Sequence, residues 1–128
     1  MTIIESVELF TALNLLFVGL SHFFQPQHWV NFFEKLSGMG DAGNLFNAML
    51  SLGLGSIIFA FHQVWQGPML LVTVYGLLLC MKGGIYLVFP SVGIKSIKGK
   101  AVNIRNFKIA GVIMTILTVF IMGYVITV

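Results

Sequence analysis

The chain has 128 residues, 58% of them hydrophobic and only 9% charged, with a net charge of +3. A water-soluble domain carries about a quarter charged residues, because its surface faces water. The composition therefore argues against a soluble domain, and the short connections leave no room for a soluble catalytic one. Four stretches, near 6–24, 43–62, 68–89 and 107–127, are apolar enough to cross a hydrocarbon layer, which takes about 20 helical residues each. A soluble helix bundle would need polar faces that the second and fourth stretches lack. The expected fold is an all-α, single-domain integral membrane four-helix bundle.

The first stretch reads as a retained span, since Glu5 and Glu8 stand where a cleavable signal would carry basic residues. It carries Asn14 in its middle. Pro26 ends it at the membrane face. In the connection, Trp29, Val30, Phe33 and Leu36 recur at helical spacing opposite His28, Asn31 and Lys35. This pattern predicts an interfacial amphipathic helix near 27–37, anchored by Trp29, Phe33 and Leu36, with Trp29 in the headgroup belt. The same face suits either a membrane anchor or a docking surface for another subunit.

Span two carries Ser51, Gly53 and Gly55, and span three carries Gly76, Cys80 and Gly83. Small residues let helices approach closely where lipid supplies no hydrophobic drive for association, so these positions mark contact faces. Cys80 has no second cysteine to pair with. The linker "FHQVWQG" at 61–67 is uncharged, whereas Lys95, Lys98, Lys100, Arg105 and Lys108 run from the end of span three into the start of span four. Basic residues near span ends stay in the cytoplasm. Connections 25–42 and 90–106 are therefore expected inside and both termini outside. These cations read as partners of lipid headgroups rather than of nucleic acid.

"GLSHFFQP" at 19–26 and "GGIYLVFP" at 83–90 each run from glycine to proline, and the spans that follow open on "NLFNAM" and "NFKIAG". The units read either as two parallel repeats about an axis normal to the membrane or as two ordinary hairpins of span, proline and span.

Lys82 is the charge inside this greasy run. It lies roughly 10 Å from the expected inner surface, counting 1.5 Å per helical residue. Helical side chains lean towards the helix N-terminus, which points the ammonium back to the bilayer centre. At similar depth the other spans offer Ser51, Thr115 and Asn14, while Tyr75 and Tyr86 share the face of Lys82. No carboxylate matches that depth. An intramembrane cation pairs, faces an aqueous cavity or loses its proton, so three readings stand: snorkelling to headgroups, an acid on a second chain, or a ligand held in a cavity. His22, His28 and His62 do not form a metal set, and no phosphate loop or nucleophile elbow occurs.

The stretch "LLFVGLSHFFQPQHWVNFFEKLSGMGD", 15–41, resembles the first hairpin of the DoxX-like family of small four-span membrane proteins. Phe17, Gly19, Leu20, Pro26 and the aromatic connection carry the likeness. The arginine that usually opens span one is absent. The resemblance implies a bacterial inner-membrane protein in a family where some members accompany quinone-linked redox enzymes, and it transfers no catalytic residue.

The leading expectation is a non-enzymatic subunit or partner of a larger membrane assembly. The competing ones are a homo-oligomeric anion channel or small-solute transporter with Lys82, Asn14, Ser51 and Thr115 along the path, and a redox component holding quinone near Lys82 and the tyrosines. No cofactor is required by the sequence.

Overall fold

The computed structural model describes residues 1–127. Among them are six helices: α1 (Ile3–Phe24), α2 (Pro26–Gly38), α3 (Asp41–Phe61), α4 (Leu70–Val88), α5 (Pro90–Lys98) and α6 (Ile104–Thr127). Helices α1, α3, α4 and α6 are each long and apolar enough to cross a membrane. Helix is the form such segments must take, because in lipid each backbone N–H and C=O has to be satisfied within its own segment. The protein is thus an all-α bundle of four such helices with two shorter ones at one end.

Local signals set the ends. Thr2 caps α1 in a capping box: its Oγ1 accepts from the Glu5 N–H at 3.1 Å, and Glu5 Oε2 accepts from the Thr2 N–H at 3.4 Å. At the other end of α1 a single non-helical residue, Gln25 (φ −128°, ψ 52°), turns the chain, and Pro26 starts α2. The device recurs after α4, where Phe89 (φ −121°, ψ 77°) turns the chain and Pro90 starts α5. Proline suits the first helical position because its missing N–H would have no partner there.

Helix α2 matches the expected interfacial helix, but its anchors pack on protein. Leu36 is buried, and the Leu36 backbone lies where a Gly43 Cβ would stand. Trp29 stacks on His22 at 4.1 Å between ring centroids and donates its Nε1–H to Ser21 Oγ at 2.8 Å. Phe33 stacks on Phe107 of α6 at 5.6 Å. Connection 90–106 holds a helix, α5, that its basic content masks. Gly93 and Ile97 face inward, while Lys95 and Lys98 are exposed.

The closest pairings are α1 with α6 and α3 with α4. Each is made at glycine. A Cβ on Gly19 would stand 2.8 Å from Met114 Cβ, and one on Gly111 would stand 2.6 Å from the Gly19 carbonyl oxygen. On the other pair, a Gly83 Cβ would meet the Leu52 nitrogen at 2.5 Å and the Ala48 oxygen at 2.6 Å. Gly55, Gly76 and Cys80 lie in the same seam, whereas Gly53 touches nothing and is exposed. Gly19 and Gly83 both precede their proline by seven residues. Exchanging the first three helices for the last three carries the α1–α6 pair onto the α4–α3 pair. Helix order, turn geometry and glycine contacts therefore repeat together.

The apolar core sits between the pairs, nearer the chain N-terminus: Ala12, Leu15, Ile58, Met69, Val72 and Ile121. Most other large apolar side chains point outward, as they do in a protein whose surroundings are hydrocarbon.

Candidate functional site

Lys82 and the polar residues expected at its depth do not converge on one another. Lys82 is half-buried, and no carboxylate of the described residues pairs with it. Its ammonium lies 5.8 Å from the ring centroid of Tyr86, one turn further along α4, a distance at which the ring face attracts a cation. The stem thus runs towards α5, not back towards the bilayer centre as the usual lean of helical side chains suggests. Tyr86 is fixed in turn, its hydroxyl donating to Ser96 Oγ of α5 at 2.9 Å. Asn14 and Thr115 bond within their own helices, to the Phe10 and Gly111 carbonyls. Ser51 is buried in α3, and Tyr75 packs against the core. Lys95, Lys98, Lys100, Arg105 and Lys108 are all exposed around the α2/α5 end of the bundle.

The polar cluster that the fold assembles lies at the opposite end. Glu8 on α1, His62 at the C-cap of α3 and Thr73 on α4 meet between the helix pairs. Glu8 is 4% exposed and His62 and Thr73 are fully buried. His62 Nε2 lies 3.3 Å from Glu8 Oε2, and Nδ1 lies 2.7 Å from Thr73 Oγ1. This is the one acid–base pair among the described residues.

A complete accounting of the Thr73 hydroxyl fixes the histidine tautomer. Its oxygen accepts from the Val64 N–H at 3.3 Å, and its proton points at the Val64 carbonyl at 2.8 Å and the His62 carbonyl at 3.0 Å. With that proton used, the hydroxyl can only accept from His62, so Nδ1 carries a hydrogen. The Nε2–Oε2 bond then needs one proton between its two heavy atoms. Whether that proton sits on the imidazole or on the carboxyl, the pair is neutral as a unit. A buried acid and base are thereby accommodated without an uncompensated charge.

Glu8 also borders a cleft of about 390 Å³ at this end, together with Glu5, Ile4, Val64, Met69 and Tyr124. Oε2 is the Glu8 oxygen that meets His62. One turn deeper on α1, Thr11 is fully buried and its hydroxyl has no partner among the described residues. At this end the chain holds a walled acidic pocket backed by a histidine.

The sequence places Glu8 at the start of the first span and sets His62 aside as a metal ligand, without bringing the two together. The signal was present. In an up-and-down bundle the first turns of span one lie level with the end of span two and the start of span three. The depth count used for Lys82 brings Glu8, His62 and Thr73 to one level.

The chain matches no family model, no curated protein and no solved structure.

Proposed function

We propose that this protein is a multi-pass cell-membrane protein that works as a partner or subunit of a larger membrane assembly, as the DoxX-like resemblance of its first hairpin suggests. In this reading both termini face outward, and the α2/α5 end with its five exposed cations faces the cytoplasm and its anionic lipid. The observation that carries the partner reading is the setting of Lys82. It borders a stripe of exposed apolar side chains on α4, Val74, Leu78, Met81 and Ile85, and no acid among the described residues neutralises it. Beside it, Gly84 has open space where a Cβ would stand. A helix from another chain laid along that stripe can approach closely at Gly84 and present a carboxylate to the ammonium. The Tyr86 ring shelters the charge but does not balance it.

The test is purification in mild detergent with mass spectrometry of what accompanies the chain. A stoichiometric membrane partner, or a second copy, that is lost from Lys82→Met is the expected result. A strictly monomeric, partner-free protein overturns the reading.

A further inference from the structure

We infer that the groove between α1 and α6 is a site for one anionic phospholipid, with an acyl chain in the groove and the phosphate between Lys108 and Arg105. The site is on the other helix pair from the Lys82 stripe. It depends neither on a protein partner nor on which end of the bundle faces the cytoplasm.

The groove has a volume of about 290 Å³ and is lined by Leu20, Phe23 and Phe24 of α1 and Val112, Thr115 and Ile116 of α6. Leu20 and Val112 each follow a glycine of the Gly19–Gly111 contact, so the groove runs beside the line where the two backbones touch. Phe23 and Phe24 meet edge to face at 5.2 Å between ring centroids and form much of its α1 wall. Its one polar lining side chain is spent, because the Thr115 hydroxyl donates to the Gly111 carbonyl at 2.8 Å. A surface with no free side-chain donor or acceptor suits hydrocarbon. The volume falls below the roughly 300–1,000 Å³ of pockets that enclose a drug-sized molecule, and it takes a length of one chain rather than a whole lipid.

Charge selects the head. Residues three and four apart on a helix share a face, and Arg105, Lys108, Val112 and Thr115 follow that spacing. The two cations therefore stand over the groove, Lys108 about one turn and Arg105 about two turns beyond Val112 towards the α2/α5 end. Both are exposed, and neither pairs with an acid among the described residues. Their long stems cross apolar surface while the charges stay at the polar boundary, level with the phosphate of a lipid whose chain fills the groove. An arginine fork beside a lysine point charge matches a phosphate diester. Lys95 and Lys98 are on α5 and Lys100 lies between α5 and α6, so none of them continues this face. A diffuse attraction for anionic surfaces would treat all five cations alike, and a built site would not.

That difference is the test. Native mass spectrometry of the full chain counts the lipid retained from mild-detergent micelles containing either phosphatidylglycerol or phosphatidylcholine. One phosphatidylglycerol per chain, held in preference to phosphatidylcholine, is the expected result. Arg105→Gln and Lys108→Gln each weaken its retention about fivefold, the worth of one cation beside anionic lipid, whereas Lys95→Gln with Lys98→Gln changes it by less than about twofold. Val112→Trp, at an exposed position with room for bulk, fills the groove and removes the one-to-one retention although both cations remain. Circular dichroism checks that each variant keeps its helix content. Equal retention of the two lipids, or a loss from the α5 variant as large as from the α6 variants, overturns the proposal. So does undiminished retention by Val112→Trp, which is how a site for phosphate alone would behave.

Discussion

Glu8 and His62, separated by 53 residues of chain, meet at 3.3 Å in a buried bond that joins α1 to the end of α3. Thr73 sets the orientation of that bond. Replacing it with valine keeps the shape but leaves the His62 Nδ1–H, the Val64 N–H and two backbone carbonyls short of a partner. An unsatisfied buried group costs about 1–3 kcal/mol. Thr73→Val is expected to lower stability by at least that much, and Thr73→Ser by far less. Thermal unfolding in detergent, followed by helical circular dichroism, measures the difference.

The adjacent glycines of α4 make a matched pair. Gly83 meets α3 backbone at 2.5 Å from the Leu52 nitrogen, whereas Gly84 meets nothing. Gly83→Ala must push α3 and α4 apart, and a loss of about 1–3 kcal/mol is expected, as for overpacking elsewhere. Gly84→Ala only exchanges glycine for a better helix former and is expected to be neutral or stabilising by up to about 1 kcal/mol in the isolated chain. Denaturation in mixed micelles ranks the two. Equal losses contradict the packing described for this seam.

Asn44 and Gly93 interlock across three helices. Asn44 Nδ2 donates to the Tyr86 carbonyl at 3.1 Å, and Asn44 Oδ1 occupies the place where a Gly93 Cβ would stand. Gly93→Ala is expected to destabilise the α2/α5 end. Adding Asn44→Ala makes room for the new methyl group, so the double variant should lose less than the sum of the two single ones. A coupling of about 0.5–3 kcal/mol is the range for residues in contact, and additive losses are the contrary result.

Across the α1–α6 pair, Thr118 Oγ1 reaches the Ala12 carbonyl oxygen at 3.2 Å and the Met114 carbonyl oxygen of its own helix at 3.0 Å. Since the hydroxyl has a bond within α6 in any case, Thr118→Val is expected to cost near the average for an interhelical bond in a membrane protein, about 0.6 kcal/mol. The same micelle denaturation reads it. A loss above about 2 kcal/mol means that Thr118 does more than bridge the two helices.

The architecture was legible because hydrophobicity is a property of each segment. All four long helices lie within a few residues of the apolar stretches at 6–24, 43–62, 68–89 and 107–127, and α2 covers the amphipathic pattern at 27–37. Helix α5 was obscured because its nine residues give few turns in which a period can declare itself, and Lys95 and Lys98 drew attention to charge. The Pro26 and Pro90 turns were visible as a repeat, but sequence could not tell duplication from coincidence. The equivalent conformations of Gln25 and Phe89 and the equivalent contacts of Gly19 and Gly83 favour duplication. The Glu8–His62–Thr73 cluster departs from that symmetry and depends on three helices meeting, which no local pattern encodes. Lys82 was conspicuous from sequence because it is an isolated charge. Its association with the Tyr86 ring required knowing which way a flexible stem turns.

The pairing of α1 with α6 has a consequence for the order of assembly. Helices α3 and α4 are neighbours in the chain and can close on each other as soon as both have left the translocation machinery. Helix α1 must wait until the last segment has been synthesised, because its glycine seam is matched by Gly111. Until then the first span stands in lipid with one face uncovered, and a chaperone or insertase that shields it would be needed most at that moment. A nascent chain arrested before α6 has therefore formed one half of its bundle and left the other open.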